Sequence, residues 1–290
     1  MAVLTTPSIT PLHPHFGARV EGVDLRRADA AAFRTIRAAF EEHSVLVFPE
    51  QALSDDEQIA WSLRLGPLEA TISSIASNPR VRPEIADLSN VDPDGALIAL
   101  DDRRMVYHSG NQLWHTDSSF KRVPALASLL SGRVVPPEGG ETEFASLRWA
   151  WAELPPARQA SLEGRVAIHS FAYSRGLVAP GLLTPEQEAQ VPPVRQAMVR
   201  TNPVNGRRAL YVASHASHVE GMDVEAGRAL IQELMELATR PENVYRHVWR
   251  QHDLVMWDNR AVLHRGRPWD GQRYRRVMHR TTVAGDGPTA

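Results

Sequence analysis

The chain has 290 residues, 43% hydrophobic and 23% charged, with 32 basic and 34 acidic side chains and no cysteine. A formal charge of −2 leaves no basic excess to displace counterions from a phosphate backbone, so nucleic acid is not an expected partner. Without thiols, disulfides, iron–sulfur clusters and cysteine zinc sites are excluded, and any metal must be held by His, Asp or Glu. No apolar run is long enough for a membrane span. The opening residues MAVLTTPSITPLHPHFG lack a basic stretch followed by an apolar one, so no signal peptide is expected and a cytoplasmic location is.

There is no repeat of fixed period and no low-complexity linker, so one domain over residues 1–290 is expected. Residues 42–48 (EHSVLVF), rich in branched apolar side chains and stopped by Pro49, predict a buried strand. Ser54 and Glu57 are spaced as a capping box, and a helix is predicted through Ala60, Trp61 and Leu65 until Gly66-Pro67. Residues 72–82 and 91–110, rich in Pro, Gly, Asp and Ser and without periodicity, predict loops over a site. Strand-like runs recur at 126–135, 210–212, 253–257 and 276–283. Helices are predicted over 147–154, over 156–163, and after Asp223, where Leu230, Leu234 and Leu237 share a face. Short strands with helices between them predict an α+β chain built around a β-sandwich or barrel.

Twelve histidines exceed what one metal site needs, so position carries the argument. In the run NQLWHTDS, extended backbone would project His115 and Asp117 from one side and turn Trp114 and Thr116 away. An imidazole and a carboxylate on one face are two arms of a chelate, with a solvated surface pair as the competing reading. His264, far along the chain in LVMWDNRAVLH, is the candidate third arm. Two histidines and one carboxylate leave open positions on an octahedral ion, the arrangement used by non-haem iron(II) oxygenases. His215 and His218 form H-x-x-H and raise a zinc hydrolase as the alternative, although no Glu lies between them. Near the end of the chain, strand alternation places Arg276, Met278 and Arg280 on one face and Arg275, Val277 and His279 on the other. Arg276 and Arg280 would stand about 13 Å apart, a spacing for two separate anions.

The segments SVLVFPEQALSDDEQIAW, NQLWHTDSSF, VVPPEGGETEF, HASHVEGM, LVMWDNRAVLHRGR and RRVMHRTTV follow one another in a specific order and spacing. Over most of the chain they resemble the TauD/TfdA family of 2-oxoglutarate-dependent dioxygenases, and within it the members acting on aryloxyalkanoates. The resemblance implies a double-stranded β-helix, or jelly roll, flanked by helices. It implies His115, Asp117 and His264 as the catalytic Fe(II) ligands, Thr142 and Arg276 as the holders of 2-oxoglutarate, and Trp257 beside the metal. Arg280, Asn111 and His215 would face the substrate. The loop after His264 is one residue longer than the family pattern, which leaves Arg275 as the alternative to Arg276; the ungapped block RRVMHR favours Arg276.

With 2-oxoglutarate and O₂ as cosubstrates, the implied reaction hydroxylates the ether methylene of an aryloxyacetate such as 2,4-dichlorophenoxyacetate. The products would be a phenol, glyoxylate, succinate and CO₂. A sulfonate or sulfate ester is the alternative substrate, and a jelly roll that binds without catalysis is the non-enzymatic alternative. The expected partners are thus a small anion and further copies of the chain in a homo-oligomer, with neither nucleic acid nor membrane.

Overall fold

Period-two alternation along a few buried strands builds the core. In a computed structural model describing residues 6–70 and 81–290, Val45–Phe48 turns Val45 and Val47 to one side and Leu46 and Phe48 to the other. The same split runs through its neighbour, where Val255 and Trp257 join Val45 and Val47, and Leu254 and Met256 join Leu46 and Phe48. Strands apolar on both faces must be covered on both faces.

These strands lie at the middle of a seven-stranded sheet ordered Ser8–Pro11, Ala18–Glu21, Val45–Phe48, Leu254–Asp258, Ala127–Val134, Val277–Val283 and Ala86–Asp87. Its ladders are antiparallel except that between Ala18–Glu21 and Val45–Phe48. A second antiparallel sheet, ordered Val244–His247, Thr142–Ser146 and Val262–Gly266, supplies Phe144 and Val262 to the core it shares with the large sheet. Two antiparallel sheets closed around one apolar filling make the double-stranded β-helix. The helices Ala30–His43 and Asp55–Leu63 cover the outer face of the large sheet through Ile36, Phe40 and Trp61. On the far side, Leu147–Glu153 and Val224–Ala238 pack through Leu147, Trp151, Leu230 and Leu234. Among the described residues, no helix is long and apolar enough to cross a membrane.

The expected capping box is present, Ser54 Oγ accepting from the Glu57 N–H and Glu57 Oε2 from the Ser54 N–H. Three expectations need correction. Glu42 and His43 close the helix Ala30–His43 rather than open the strand, because Phe33, Ile36 and Phe40 carry helical spacing forward until Ser44 turns left-handed at φ 63°. The strand read at 210–212 is Arg208–Leu210; beyond it the chain leaves the ladder, and Ser214 donates to the Trp114 carbonyl at 3.0 Å. The region 91–110 is not all loop, since Asp102 caps a helix Arg103–Ser109 that runs into the 3-10 turn Gly110–Gln112. Residues 72–80 of the other expected loop lie outside the described residues.

Candidate active site

His115 and His264 are cross-strand neighbours, each donating its backbone N–H to the other's carbonyl, at 3.0 and 2.8 Å. That pairing brings the two rings to a centroid distance of 4.1 Å. Asp117, two residues on, faces the same way: its Oδ1 is 3.9 Å from His115 Nε2 and its Oδ2 is 3.6 Å from His264 Nε2. One donor atom from each residue lies within 4.8 Å of the others, a span that an ion with bonds of about 2 Å can bridge. The Leu113 carbonyl, 2.7 Å from His115 Nδ1, holds the proton on that nitrogen and leaves the Nε2 lone pair for a metal.

Burial pushes both imidazoles toward the neutral, ligating form against the opposing pull of Asp117. Burial alone would also protonate Asp117. The charge of Arg280, foremost, and the Ser128 hydroxyl reverse that and hold its carboxyl well below the usual carboxylate range, the imidazoles adding to this only when protonated. Two neutral imidazoles and one ionised carboxylate fit Fe(II).

Asp117 is held by Ser128 and Asn259, which the sequence reading did not single out, and by Arg280, which it placed toward the substrate. Ser128 Oγ donates to its Oδ2 at 2.6 Å, and Arg280 Nη1 donates to its Oδ1 at 2.5 Å. Behind them sits Asn259, fully buried, whose Oδ1 accepts from the Asp117 N–H at 3.1 Å and from Trp257 Nε1 at 3.0 Å. Its Nδ2 donates to Ser128 Oγ at 2.9 Å, so one side chain ties three elements to the carboxylate. Asn259 lies in the WDNR run, the one sequence signal that could have found it. Trp257 stands beside the site as expected, 4.6 Å from the His264 ring.

A cavity of about 310 Å³ opens against His115 and His264 and is lined by Thr142, Trp257, Arg276 and Arg280. Arg276 is buried at its rim and Arg275 is exposed. The Arg276 guanidinium meets the Gly140 carbonyl at 3.3 Å and the Trp269 ring at 5.1 Å, but its Nε has no partner and, among the described residues, no carboxylate pairs with it. Burial pushes its pKa down to about 10. A charge buried without an anion is unfavourable, so the geometry calls for an incoming one. Two features set its position. Asn90 Oδ1 accepts from the Arg276 N–H at 2.7 Å, and Gly140, at φ 69°, leaves the guanidinium space that a Cβ would narrow to 3.2 Å. Thr142 Oγ1 accepts from Trp249 Nε1 at 3.0 Å, which leaves the hydroxyl proton free to point elsewhere.

A second cavity, of about 110 Å³, meets the first at His115, Asn111 and Arg280 and is lined by Phe120, Phe171, Arg175 and His215. Arg280, Asn111 and His215 therefore border one space. His215 is buried, its Nδ1 2.7 Å from Ser174 Oγ. His218 instead bonds Ser217 Oγ, and among the described residues it joins no metal-ligating group with His215, so the H-x-x-H carries no zinc site.

A jelly roll that places two histidines and an aspartate beside a buried arginine awaiting a carboxylate defines a class, the iron-dependent oxygenases that consume a 2-oxo acid. Residues 8–282 match the family described as "Taurine catabolism dioxygenase TauD, TfdA family", and the chain belongs to it: it is an Fe(II)- and 2-oxoglutarate-dependent dioxygenase. It is 47% identical over 276 residues, 94% of this chain and 96% of the relative, to the alpha-ketoglutarate-dependent 2,4-dichlorophenoxyacetate dioxygenase of Cupriavidus pinatubonensis (strain JMP 134 / LMG 1197). The (S)-phenoxypropionate/alpha-ketoglutarate-dioxygenase of Sphingobium herbicidovorans is 35% identical over 286 residues, 96% of this chain and 95% of its own. The crystal structure of AAD-2 in complex with Mn(II) and N-oxalylglycine superimposes with a TM-score of 0.91 at 42% identity, covering 99% of each chain.

Proposed function

We propose that this enzyme hydroxylates the ether methylene of an aryloxyalkanoate, with 2,4-dichlorophenoxyacetate as the reference substrate, and that the whole chain acts as one cytoplasmic catalytic domain. The observation that carries the reading is that the two histidines of the His115, Asp117 and His264 donor set line one cavity with a buried, anion-seeking arginine. The identities to named aryloxyalkanoate dioxygenases support the substrate class. Iron(II) held by His115, Asp117 and His264 would supply the activation of O₂ and the oxidative decarboxylation of 2-oxoglutarate to succinate and CO₂. The remaining work belongs to the chain's own residues. Arg276 and the Thr142 hydroxyl hold the distal carboxylate of 2-oxoglutarate, Trp249 directing the Thr142 proton toward it. Ser128 and Asn259 keep Asp117 in place as a ligand, and Arg280, Asn111 and His215 face the substrate. Phe120 and Phe171, 4.4 Å apart, keep water from the reacting methylene. The hydroxylated product is a hemiacetal, which collapses to the phenol and glyoxylate.

The test is anaerobic loading with iron and 2-oxoglutarate, then O₂ and a panel of acids, with succinate and phenol measured. One succinate per phenol from 2,4-dichlorophenoxyacetate is expected. Efficient oxidation of taurine or an alkyl sulfate, with every aryloxyalkanoate ignored, would overturn the substrate and leave the iron chemistry intact. Sedimentation of the same preparation reads the homo-oligomer expected from sequence.

A further inference from the structure

Arg175 is a buried cation that the sequence reading left unassigned. It is 7% exposed and lines the second cavity with His115, Asp117 and Arg280. Its Nη1 donates to the Tyr107 carbonyl at 3.2 Å, its Nε has no partner, and among the described residues no carboxylate lies within ion-pair distance. The rings of Tyr107 and Phe171, 4.6 and 4.8 Å from its guanidinium carbon, offset part of the burial cost but bring no counter-charge. The carboxylates around that cavity each lie nearer to another partner. Glu69 binds Lys121 and Ser118, Asp117 binds Arg280, Glu84 lies 3.6 Å from Arg82, and Asp87 binds Ser89. Burial lowers the Arg175 pKa and the charge of Arg280 in the same cavity adds to that, against a weaker opposing pull from Tyr107 and Asp117. An anion entering the cavity relieves both lowering effects.

Space for this guanidinium is reserved by another residue. A Cβ on Gly110 would come within 1.5 Å of Arg175 Nη1, although the φ of −59° there suits any amino acid. The turn itself does not call for glycine at 110; a side chain there would displace the guanidinium from its present place. That close approach brings Arg175 alongside the 3-10 turn Gly110–Gln112, which carries Asn111 into both cavities. Phe120 and Phe171 stand beside it, so one charge-binding edge and one aromatic wall share a small space.

We propose that Arg175 anchors the carboxylate of the aryloxyalkanoate, acting beside Arg280, one of whose N–H groups is committed to Asp117. This deepens the substrate reading above and rests on it. The test compares 2,4-dichlorophenoxyacetate with its neutral amide, each titrated calorimetrically into the anaerobic iron–2-oxoglutarate complex. The wild type should prefer the acid by at least tenfold. Arg175→Met, which keeps the aliphatic packing, should weaken acid binding by roughly ten- to a hundredfold and bring acid and amide within about threefold of each other. Affinity for 2-oxoglutarate should move less than about twofold, a split that general loss of packing would not produce. Gly110→Ala, which displaces the guanidinium without removing it, should weaken acid binding in the same direction; Arg175→Lys should retain part of the preference. These two variants carry the test if Arg175→Met does not fold. An Arg175→Met enzyme that keeps the wild-type preference for acid over amide overturns the proposal alone. A wild type that binds neither compound overturns the aryloxyalkanoate reading and this assignment with it.

Discussion

Replacing Arg276 with Met should move two measurable quantities in opposite directions. The side chain is buried and makes one hydrogen bond, to the Gly140 carbonyl, and one ring contact, to Trp269, while it also lines a cavity. Burial lowers its pKa from the ordinary arginine value to about 10, and at about 1.36 kcal/mol per pH unit that is a cost of about 3 kcal/mol for holding the cation there. The folded pKa lies below the unfolded one, so the unfolded chain holds the proton more tightly. The cost is therefore fully present at neutral pH and fades as pH rises through the folded value. Methionine removes the charge and keeps most of the apolar stem, so the metal-free, cosubstrate-free protein should gain about 1–3 kcal/mol of stability after the lost Gly140 contact is subtracted. Binding should suffer, because a charge-assisted contact to a carboxylate contributes about 1.5–3 kcal/mol, or roughly ten- to over a hundredfold in affinity. Calorimetric titration of N-oxalylglycine into the anaerobic metal complex reads the second effect, and urea unfolding of the stripped protein reads the first. Arg275→Met, at an exposed position one residue away, should do neither. If Arg275→Met loses the cosubstrate and Arg276→Met keeps it within threefold, the anchor is misassigned and the buried-charge reasoning fails.

His264→Ala should abolish tight binding of Mn(II) or Fe(II) by the metal-free protein, measured by equilibrium dialysis, whereas His218→Ala should leave it unchanged; full metal affinity in His264→Ala would sink the ligand set. Asn259→Leu strands the buried Trp257 and Asp117 N–H groups, so a loss of about 2–4 kcal/mol on urea unfolding is expected, together with roughly ten- to a hundredfold weaker metal binding. Unchanged metal affinity in a folded Asn259→Leu protein would remove its positioning role. Glu143 sits opposite both Arg246 and Arg265 in the second sheet. Burial raises its pKa, but those arginines and Arg267 lower it further, to a net value below the ordinary one. Its stabilisation is therefore present above the ordinary glutamate range and lost as pH falls through the folded value. Glu143→Gln should cost about 1 kcal/mol at pH 7 and flatten the acid limb of a thermal-stability profile; a limb as steep as the wild type's would refute this.

Much of the site was legible because the reacting groups advertise themselves locally. His115 and Asp117 are two residues apart in extended chain, a relation that period-two geometry converts directly into a shared face. The capping box at Ser54 and the helix after Asp223 are equally local, closed within one turn by side chains a few positions apart. Alternation separated Arg276 and Arg280 from Arg275, but only the ungapped family resemblance of RRVMHR favoured Arg276, and burial of that side chain belongs to the folded structure. What the one-dimensional pattern could not decide were contacts between distant segments. Asn259 reads as a turn residue until folding brings Ser128, Trp257 and the Asp117 backbone around its amide. Arg175, on the short helix Phe171–Gly176, carries no signal at all in its neighbours. Its meaning comes from absence, a buried guanidinium with no carboxylate in reach among the described residues, and whether a charge has a partner is a property of the packed interior. Sequence determined which chemical groups could hold the metal and the anion; tertiary structure alone decided which charges were left unpaired to receive a ligand.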